Sequence, residues 1–500
     1  MKQKNRFSTL LERLLEVAEV KNYVLAARLQ YDVSYISKWV SGRMLPSPKT
    51  EDHVLRGISE CLVADGSEEG VSTLLEDYQV ANKGDLVGAI YDNLVAEYMY
   101  VREAQRDSGS TIAPKTQFFP KLNMPQFIER MRHPVLRRVK SLEIMALMDL
   151  MSMEREYRIQ IASFDAGGSQ EQWRYPDVHF SMMIDLSGSQ GDVIYDTLFL
   201  LNMLTMMTRI DFKLYGSRQA FGRAVFAVAD EFSISGMLMQ GYQCMAVTVS
   251  EDPTTSGTLY RSIRSLCNRE RLLVREVSME QMLTGNDYAR SLISPNQRLM
   301  FGHMTEHFVP DDLFEELVEQ LKAEGRTASV TLERLRWAHT LAKRRFQELP
   351  VRVIFSESAF ADFAVTGEVD FYNIKIFLNP EQRLRYIRGL RELLSRQDGM
   401  AVKLVYGALV SDFRYHADQC VFLTDGISYL SLDDSPERDS LRVVNHRDMK
   451  QMLDRFFERV WHNDSSVVIS DRGAVMEHVD HILQQVQMIA FLADPDGKEM

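Results

Sequence analysis

The sequence predicts a multidomain α+β protein, in which an all-α N-terminal domain and a helical connector precede a duplicated α/β region. Three observations support this prediction. The chain has 500 residues, which exceeds what one hydrophobic core usually supports. Apolar residues recur at helical spacing through the first third, whereas from about residue 178 strand-like segments alternate with helical ones. That alternation then occurs a second time.

The same pattern divides the chain into five segments. These are an all-α domain over 1–80, a helical connector over 81–175, a first α/β half over 176–275, a mainly helical insert over 276–350 and a second α/β half over 351–485. The stretch Asp107 to Lys115 is the best candidate for a linker. Met124 to Glu156 is predicted to be helix-rich, with an apolar stripe that belongs to the core or forms a dimer seam: Ile144, Leu147, Met148 and Met151.

Charge is distributed unevenly along the chain. The formal net charge is -12, which argues against a general nucleic-acid coat with a basic surface. Residues 1–60, however, carry ten Lys or Arg and seven Asp or Glu. Any surface that binds phosphate is therefore expected in the first domain.

No targeting or membrane segment is predicted. Met1 to Arg6 lacks the apolar core of a secretory signal, and the most apolar segment, Leu198 to Met207, is too short to span a bilayer. The four cysteines are scattered, without a Cys-x-x-Cys pair, and are expected to be buried thiols in a reducing compartment. We therefore expect a cytoplasmic protein that does not contact membranes.

Three helices are predicted near the N-terminus. The first has an apolar stripe formed by Phe7, Leu10, Leu11, Leu14, Leu15 and Ala18. The second runs from Asn22 to Leu29. Asp32 is expected to cap the third, and Gly42 to end it in a left-handed conformation. At about 100° per residue, one narrow face of the third helix presents Ser34, Ser37, Lys38 and Ser41, while Ile36 and Val40 point the other way. Small polar side chains with one cation suit close approach to a major groove.

The string LAARLQYDVSYISKWVSGRMLPSP resembles the helix-turn-helix of lambda-repressor-like (XRE-type) regulators over roughly residues 7–62. This resemblance implies double-stranded DNA as the partner and a homodimer that binds two half-sites. It places Asn22 and Arg43 at phosphates, Ser34, Ser37 and Lys38 at base edges, and Tyr35 at their margin. Ser41 completes the predicted DNA-binding set. The family usually has Gly in the tight turn, where this chain has Gln30. The alternative is a module of the same fold that binds protein.

Two segments of the α/β region share the order strand, helix, strand ending in Tyr-Gly, hairpin opening with Val-Phe, strand and helix. The first includes the helix 193–207 and the strands 178–185, 211–217, 225–235 and 244–250, followed by a helix over 258–267. The second includes the helix 380–394 and the strands 351–355, 402–408, 421–431 and 441–445, followed by a helix over 447–461. This agreement in order and spacing predicts an internal duplication.

Two such halves resemble the phospholipase D-like fold, whose members cleave phosphodiesters with a His-x-Lys motif in each half. None of the eleven histidines here has Lys two positions later, and His416, in the expected loop, is followed by Ala417 and Asp418. The resemblance therefore implies a catalytically inactive domain that acts as a sensor, with no catalytic residues and no cofactor.

Other chemical patterns are weak. His303 and His307, with Glu306 beside His307, have i, i+4 spacing but not the order of a metalloprotease motif, so surface or structural histidines are expected and no metal site is assigned. Lys343, Arg344 and Arg345 are expected to form a solvated helix face.

The sequence thus predicts a dimeric bacterial transcriptional regulator whose α/β region responds to a small molecule or a protein effector. Two alternatives remain: a DNA-tethered enzyme, such as a defence nuclease that regulates its own synthesis, and an interaction scaffold of a phage or mobile element. His416→Ala separates the enzyme from the others, because only an enzyme would lose activity.

Overall fold

A computed structural model describes the chain over residues 5–78, 80, 82–106, 116–137, 141–162, 178–187, 191–206, 210–325, 329–348, 350–396, 400–410, 419–432, 441–463 and 467–493. The protein is a mixture of helices and strands, and its N-terminal region is helical. The predicted linker Asp107 to Lys115 lies outside the described residues.

Six helices form the N-terminal region. They are α1 (Arg6–Val17), α2 (Asn22–Leu29), α3 (Val33–Val40), α4 (Glu51–Ala64), α5 (Glu68–Asp77) and α6 (Lys83–Arg106). Asn5 caps α1 by accepting a hydrogen bond from the Ser8 backbone N–H at 2.9 Å. The predicted apolar stripe of α1 is buried except for Leu10, which is half-buried. The predicted bounds of α2 are confirmed.

An eight-stranded mixed sheet follows these helices. Its strands are β1 (Thr116–Asn123), β2 (Leu142–Met148), β3 (Val178–Ile184), β4 (Asp211–Gly216), β5 (Arg223–Val228), β6 (Phe232–Met239), β7 (Gln243–Ser250) and β8 (Arg271–Leu272). The helices between them are α7 (Met124–Met131), α8 (Arg155–Ala162), α9 (Val193–Met206) and α10 (Pro253–Cys267). The apolar helix predicted over 193–207 is confirmed as α9.

The helix predicted around Ile144, Leu147 and Met148 is wrong, because these residues lie in β2. This strand pairs in parallel with β3 and antiparallel with β5, so it is central in the sheet. Six of its seven residues are buried. A central strand that is covered on both faces is apolar nearly throughout, and such a run has no two-residue alternation to distinguish it from a helix.

A second eight-stranded mixed sheet lies in the C-terminal half. Its strands are β9 (Val274–Val277), β10 (Gln297–Phe301), β11 (Val351–Ser356), β14 (Met400–Val405), β15 (Cys420–Leu423), β16 (Tyr429–Ser431), β17 (Leu441–Val444) and β18 (Val468–Ile469), and a separate hairpin joins β12 (Glu368–Asp370) to β13 (Lys375–Phe377). The helices are α11 (Met279–Thr284), α12 (Asp287–Ile293), α13 (Asp311–Ala323), α14 (Ser329–Glu348), α15 (Glu357–Thr366), α16 (Pro380–Ser395), α17 (Arg447–Trp461) and α18 (Arg472–Ala493).

The two sheets have the same strand order. The first runs β1-β7-β6-β5-β2-β3-β4-β8, and the second, taken from its corresponding edge, runs β9-β17-β16-β15-β10-β11-β14-β18. In each sheet a parallel pair, β2 with β3 or β10 with β11, is followed on one side by an antiparallel meander of three strands. Every strand predicted for one half therefore has its predicted counterpart at the same place in the other sheet.

By its contacts the chain forms two compact units. One comprises Met1–Asp185, Arg209–Lys213 and Gln219–Glu270, and the other comprises Leu186–Thr208, Leu214–Arg218 and Arg271–Met500. In the second unit an extensive apolar core surrounds β10 and β11. Within the described residues, no helix combines the length and the apolar character needed to cross a bilayer.

Candidate nucleic-acid interface

The third helix begins at a capped end. The Asp32 carboxylate accepts a hydrogen bond from the Ser34 backbone N–H at 2.8 Å, and the Ser34 hydroxyl also interacts with this carboxylate. These two hydrogen bonds lower the pKa of Asp32 below its ordinary value. Asp32 is thus charged at neutral pH and holds the first turn of α3 in place, as the sequence predicts.

The helix ends at Gly42, which has the predicted left-handed conformation with φ of 71°. The backbone N–H of Gly42 donates to the Trp39 carbonyl at 3.1 Å, and that of Arg43 donates to the Lys38 carbonyl at 2.9 Å. A Cβ atom at position 42 would lie 2.9 Å from the Ser8 hydroxyl oxygen in α1. Gly42 therefore permits both the turn and the close contact between α1 and the end of α3.

The predicted base-contacting side chains of α3 are exposed: Ser34, Tyr35, Ser37 and Lys38. On the other side of the helix, Ile36 and Trp39 are buried, while Val40 is half-buried. The Lys38 ammonium lies 5.3 Å from the centre of the Tyr35 ring, a cation–π contact that holds Tyr35 beside the polar face. The helix thus separates an inward apolar side from an outward polar one.

Ser41 differs from the other serines of this face. Its side chain is half-buried, and its hydroxyl donates to the Lys38 backbone carbonyl at 3.2 Å. That hydrogen bond uses the only proton of the hydroxyl. Ser41 therefore offers a ligand an acceptor rather than a donor.

Asn22 and Arg43 lie at the positions that the sequence predicts for phosphate contacts. Asn22 is the first residue of α2 and is half-buried, and Arg43 is exposed just beyond α3. Among the described residues, no side chain caps the N-terminus of α2 at Lys21. The backbone N–H of Val24 donates to the Lys21 carbonyl at 2.9 Å, so the donors of this turn that a ligand such as a phosphate would use are those of Asn22 and Tyr23.

The turn between α2 and α3 keeps the shape that glycine usually provides. Gln30 has φ of 58° and ψ of 37°, in the left-handed region, and its N–H bonds to the Ala27 carbonyl at 3.3 Å. The side chain makes this conformation cost about 1 kcal/mol more than it would with glycine. Gln30 therefore makes the turn less stable than glycine would, but the turn keeps its shape.

Sequence analysis missed one residue of the α3 surface. Val33, the first residue of the helix, is 43% exposed. The periodicity that selected the serines would have found it, because Val33 lies four residues before Ser37 and thus on the same side. Polarity, used alongside periodicity to define the face, excluded this apolar side chain.

A buried polar cluster in the second unit was also missed. It comprises Tyr288, His303, Glu306, His307, Asp370 and Ser431, here called the Glu306 cluster. His303 and His307 do not lie on one helical face as their spacing suggests, because they lie in the loop after β10 and in a short 3-10 helix over Glu306–Phe308. His307 is buried and its Nδ1 lies 3.0 Å from the Thr305 hydroxyl, so of the two expected positions, surface or structural, it has the structural one.

Hydrogen bonds connect the members of the Glu306 cluster. The Tyr288 hydroxyl donates to the Glu306 carboxylate at 2.6 Å, and the Ser431 hydroxyl donates to the Asp370 carboxylate at 2.8 Å. The ring Nε2 of His303 lies 3.4 Å from the same Asp370 oxygen. These hydrogen bonds form two groups, one around Glu306 and one around Asp370, and the charge of Asp370 acts on Glu306. His303 is placed to neutralise Asp370.

Burial and the Asp370 charge raise the pKa of Glu306 to about 8, so Glu306 is mostly protonated at neutral pH. Burial alone acts to raise the pKa of Asp370, but the hydrogen bond and charge of His303 outweigh it and lower that pKa. Burial lowers the pKa of His307 to about 3. The cluster is thus close to neutral at pH 7, as a core position requires.

The remaining chemical predictions have mixed outcomes. His416 lies outside the described residues. In the described part of the chain, no group of three or more His, Cys, Asp or Glu side chains is arranged to hold a metal ion. The four cysteines are buried free thiols. Arg345 is not on a solvated face as predicted: it is buried, and its guanidinium donates to the Ser294 carbonyl at 3.1 Å, where the end of α12 attracts a cation.

Comparison with known proteins adds no assignment, because no protein-family model and no curated protein matches this chain. Function is therefore inferred from the chain's own residues.

Proposed function

We propose that this protein is a sequence-specific DNA-binding transcriptional regulator in which α3 is the recognition helix. The observation that carries the proposal is the exposed face of Ser34, Ser37 and Lys38, which lies between the Asp32 cap and the Gly42 turn. Short polar side chains allow a helix to approach base edges closely, and a lysine donates to guanine acceptors in the major groove.

Two neighbouring features support the same docking. Arg43 supplies an exposed cation beyond the helix, and the N-terminus of α2 supplies backbone donors beside Asn22. Phosphate contacts of these two kinds fix the register of a helix-turn-helix on its duplex. The local excess of positive charge in residues 1–60 is also in accord with a DNA-binding surface in this region.

The rest of the chain is proposed to bind an effector and to form the homodimer. The equal strand order of the two sheets supports an internal duplication of the phospholipase D-like kind, and the absence of any His-x-Lys pair from the sequence supports a domain without phosphodiesterase activity. A homodimer would present two copies of α3 to two half-sites. A small-molecule or protein effector would act by preferring one arrangement of those two helices.

A footprint of the wild type and of Lys38→Ala at one fixed salt concentration tests the proposal. Lys38→Ala should lose roughly tenfold in affinity for the preferred duplex while keeping its non-specific binding. Lys83→Ala is the matched control, because Lys83 is an exposed lysine at the start of α6. Indistinguishable footprints for wild type and Lys38→Ala would contradict the role of α3.

A further inference from the structure

Val33 is an apolar side chain that the core does not use. It is 43% exposed, whereas Ile36 and Trp39 of the same helix are 0% and 1% exposed. The start of a helix is commonly fixed by an apolar contact between the residue before the cap and the fourth residue of the helix. In α3 these two residues are Tyr31 and Ile36. Val33 takes no part in that pair. Packing therefore does not explain a branched apolar residue at this position.

The position of Val33 places it among the groups that would contact base edges. At about 100° per residue, Val33 lies about 40° from Ser37 around the helix axis and about 140° from Lys38. Val33 thus forms one border of the polar face and Lys38 the other. Residues in the first turn of a recognition helix are the ones that reach furthest into the major groove.

The neighbouring polar group at this end is already engaged. The Ser34 backbone N–H and hydroxyl both interact with the Asp32 carboxylate. The Ser34 groups that could donate to a base are therefore already bonded to the Asp32 cap. The isopropyl group of Val33 lies at the same end of the helix and takes no part in the hydrogen bonds of this cap. It can therefore contact a base without giving up such a bond.

We infer that Val33 selects a thymine in each half-site by contacting its C5-methyl group, an inference that rests on the proposed function. A valine side chain neither donates nor accepts hydrogen bonds. The thymine methyl is the one apolar group that base pairs display in the major groove. Placing Val33 against any other base edge would remove water from a donor or acceptor without replacing its hydrogen bond. Val33 should therefore favour thymine over the other bases.

Substitution of single thymines by deoxyuridine tests the inference, because deoxyuridine lacks only the C5-methyl group. In the duplex that the wild type prefers, each half-site should contain one thymine whose replacement by deoxyuridine lowers the affinity about fourfold. This loss corresponds to the free energy of burying one methyl group. Val33→Ala should bind the thymine duplex more weakly and should lose this sensitivity. Because Val33 is exposed, the variant is expected to keep the stability of the wild type, which thermal unfolding verifies.

Ser37→Ala is the matched control, since it alters the same face and should keep the full loss on deoxyuridine substitution. The inference is overturned if the wild type tolerates deoxyuridine at every position, or if Val33→Ala shows the same loss as the wild type. Failure of the proposed function has a different result, because no duplex would then be preferred at all.

Discussion

The Tyr98 hydroxyl in α6 donates a hydrogen bond to the backbone carbonyl of Pro46, at 3.0 Å. Both residues are buried, and Pro46 lies in the loop that follows α3. Burial, and then the neighbouring Glu51, raise the pKa of Tyr98 to about 12, so the donor stays protonated under ordinary conditions. An ion pair between Arg102 and Glu51, at 2.6 Å, joins α6 to α4 nearby. The long helix α6 thus fixes the segment that carries Arg43.

Tyr98→Phe should lower the free energy of unfolding of the first unit by about 1 to 3 kcal/mol, because it leaves the Pro46 carbonyl buried without its donor. Denaturant unfolding measures this change. Tyr91→Phe is the control: the Tyr91 hydroxyl donates to Asp52 at an exposed site, where water replaces the lost bond. Equal losses for the two variants would contradict a special role for the Tyr98 contact.

The two left-handed residues that flank α3 should respond in opposite directions. Gly42→Ala should destabilise the protein by more than about 1 kcal/mol, because its φ is positive and the new Cβ would approach the Ser8 hydroxyl. Gln30→Gly should stabilise it by up to about 1 kcal/mol by relieving the strained turn. Thermal unfolding measures both.

Gly88→Ala is a suitable control for these turns. Gly88 lies inside α6, and a Cβ atom added there would meet nothing within 4 Å, so alanine should stabilise the helix by about 0.5 to 1 kcal/mol. A Gly42→Ala protein as stable as Gly88→Ala would show that the left-handed end of α3 does not form.

Glu306 should make the second unit less stable as pH rises. Its pKa is about 8 in the folded chain and 4.5 ordinarily, so the folded state holds the proton that the unfolded state releases between these values. Stability from this group is therefore complete below pH 4.5 and lost by about pH 8. His307, with a pKa lowered to about 3, acts in the opposite direction, but only below its ordinary value of 6.5.

The free energy of unfolding should consequently be measured between pH 6.5 and 8, where the Glu306 effect is not opposed by His307. His303 adds to the decline in this range, because burial, which lowers its pKa, is outweighed by Cys420 and Asp370, and its pKa is raised above 6.5. Glu306→Gln should therefore reduce the decline that the wild type shows without abolishing it. The two proteins are compared by the slope of the unfolding free energy against pH. The unfolding free energy itself is less informative, because the substitution also replaces a carboxylate oxygen that accepts hydrogen bonds. Glu280→Gln, at an exposed residue of α11, should leave the slope unchanged. An unaltered slope in Glu306→Gln would contradict the protonated state assigned to the cluster.

Arg43 should contribute to affinity without contributing to sequence preference. Arg43→Ala should weaken binding to all duplexes and reduce the slope of log affinity against log salt by about one for each Arg43 in contact with a phosphate. Arg28→Ala is the control, because Arg28 is an exposed arginine of α2 that lies 4.0 Å from Asp65. A change of sequence preference in Arg43→Ala would contradict the phosphate role.

The parts of the fold that could be predicted from sequence are those with local causes. The cap at Asp32, the end at Gly42 and the bounds of α2 follow from side-chain hydrogen bonding and backbone freedom within a few residues. The repeated order of segments likewise located β3 to β7 and their counterparts in the second sheet, but not β1, which lies in the segment predicted to be helical. The central strand β2 could not be identified in this way, because partners distant in sequence bury both of its faces.

The candidate sites divide similarly. The polar face of α3 could be predicted because one helix presents it, although Val33 was overlooked. The Glu306 cluster could not be predicted, since Tyr288, Glu306, Asp370 and Ser431 come from separate segments that only the tertiary fold brings together. Spacing along the chain suggested a helix for His303 and His307, whereas the loop after β10 determines where they lie.

The most direct test of the central claim is selection of binding sites from a random duplex library by the purified full-length protein. If α3 is the recognition helix of a dimer, the enriched duplexes should share two half-sites related by a two-fold axis, spaced about one helical turn or a multiple of it apart. Lys38→Ala should fail to enrich them. A library that remains random after selection with the folded wild-type protein would contradict the assignment of α3 to DNA.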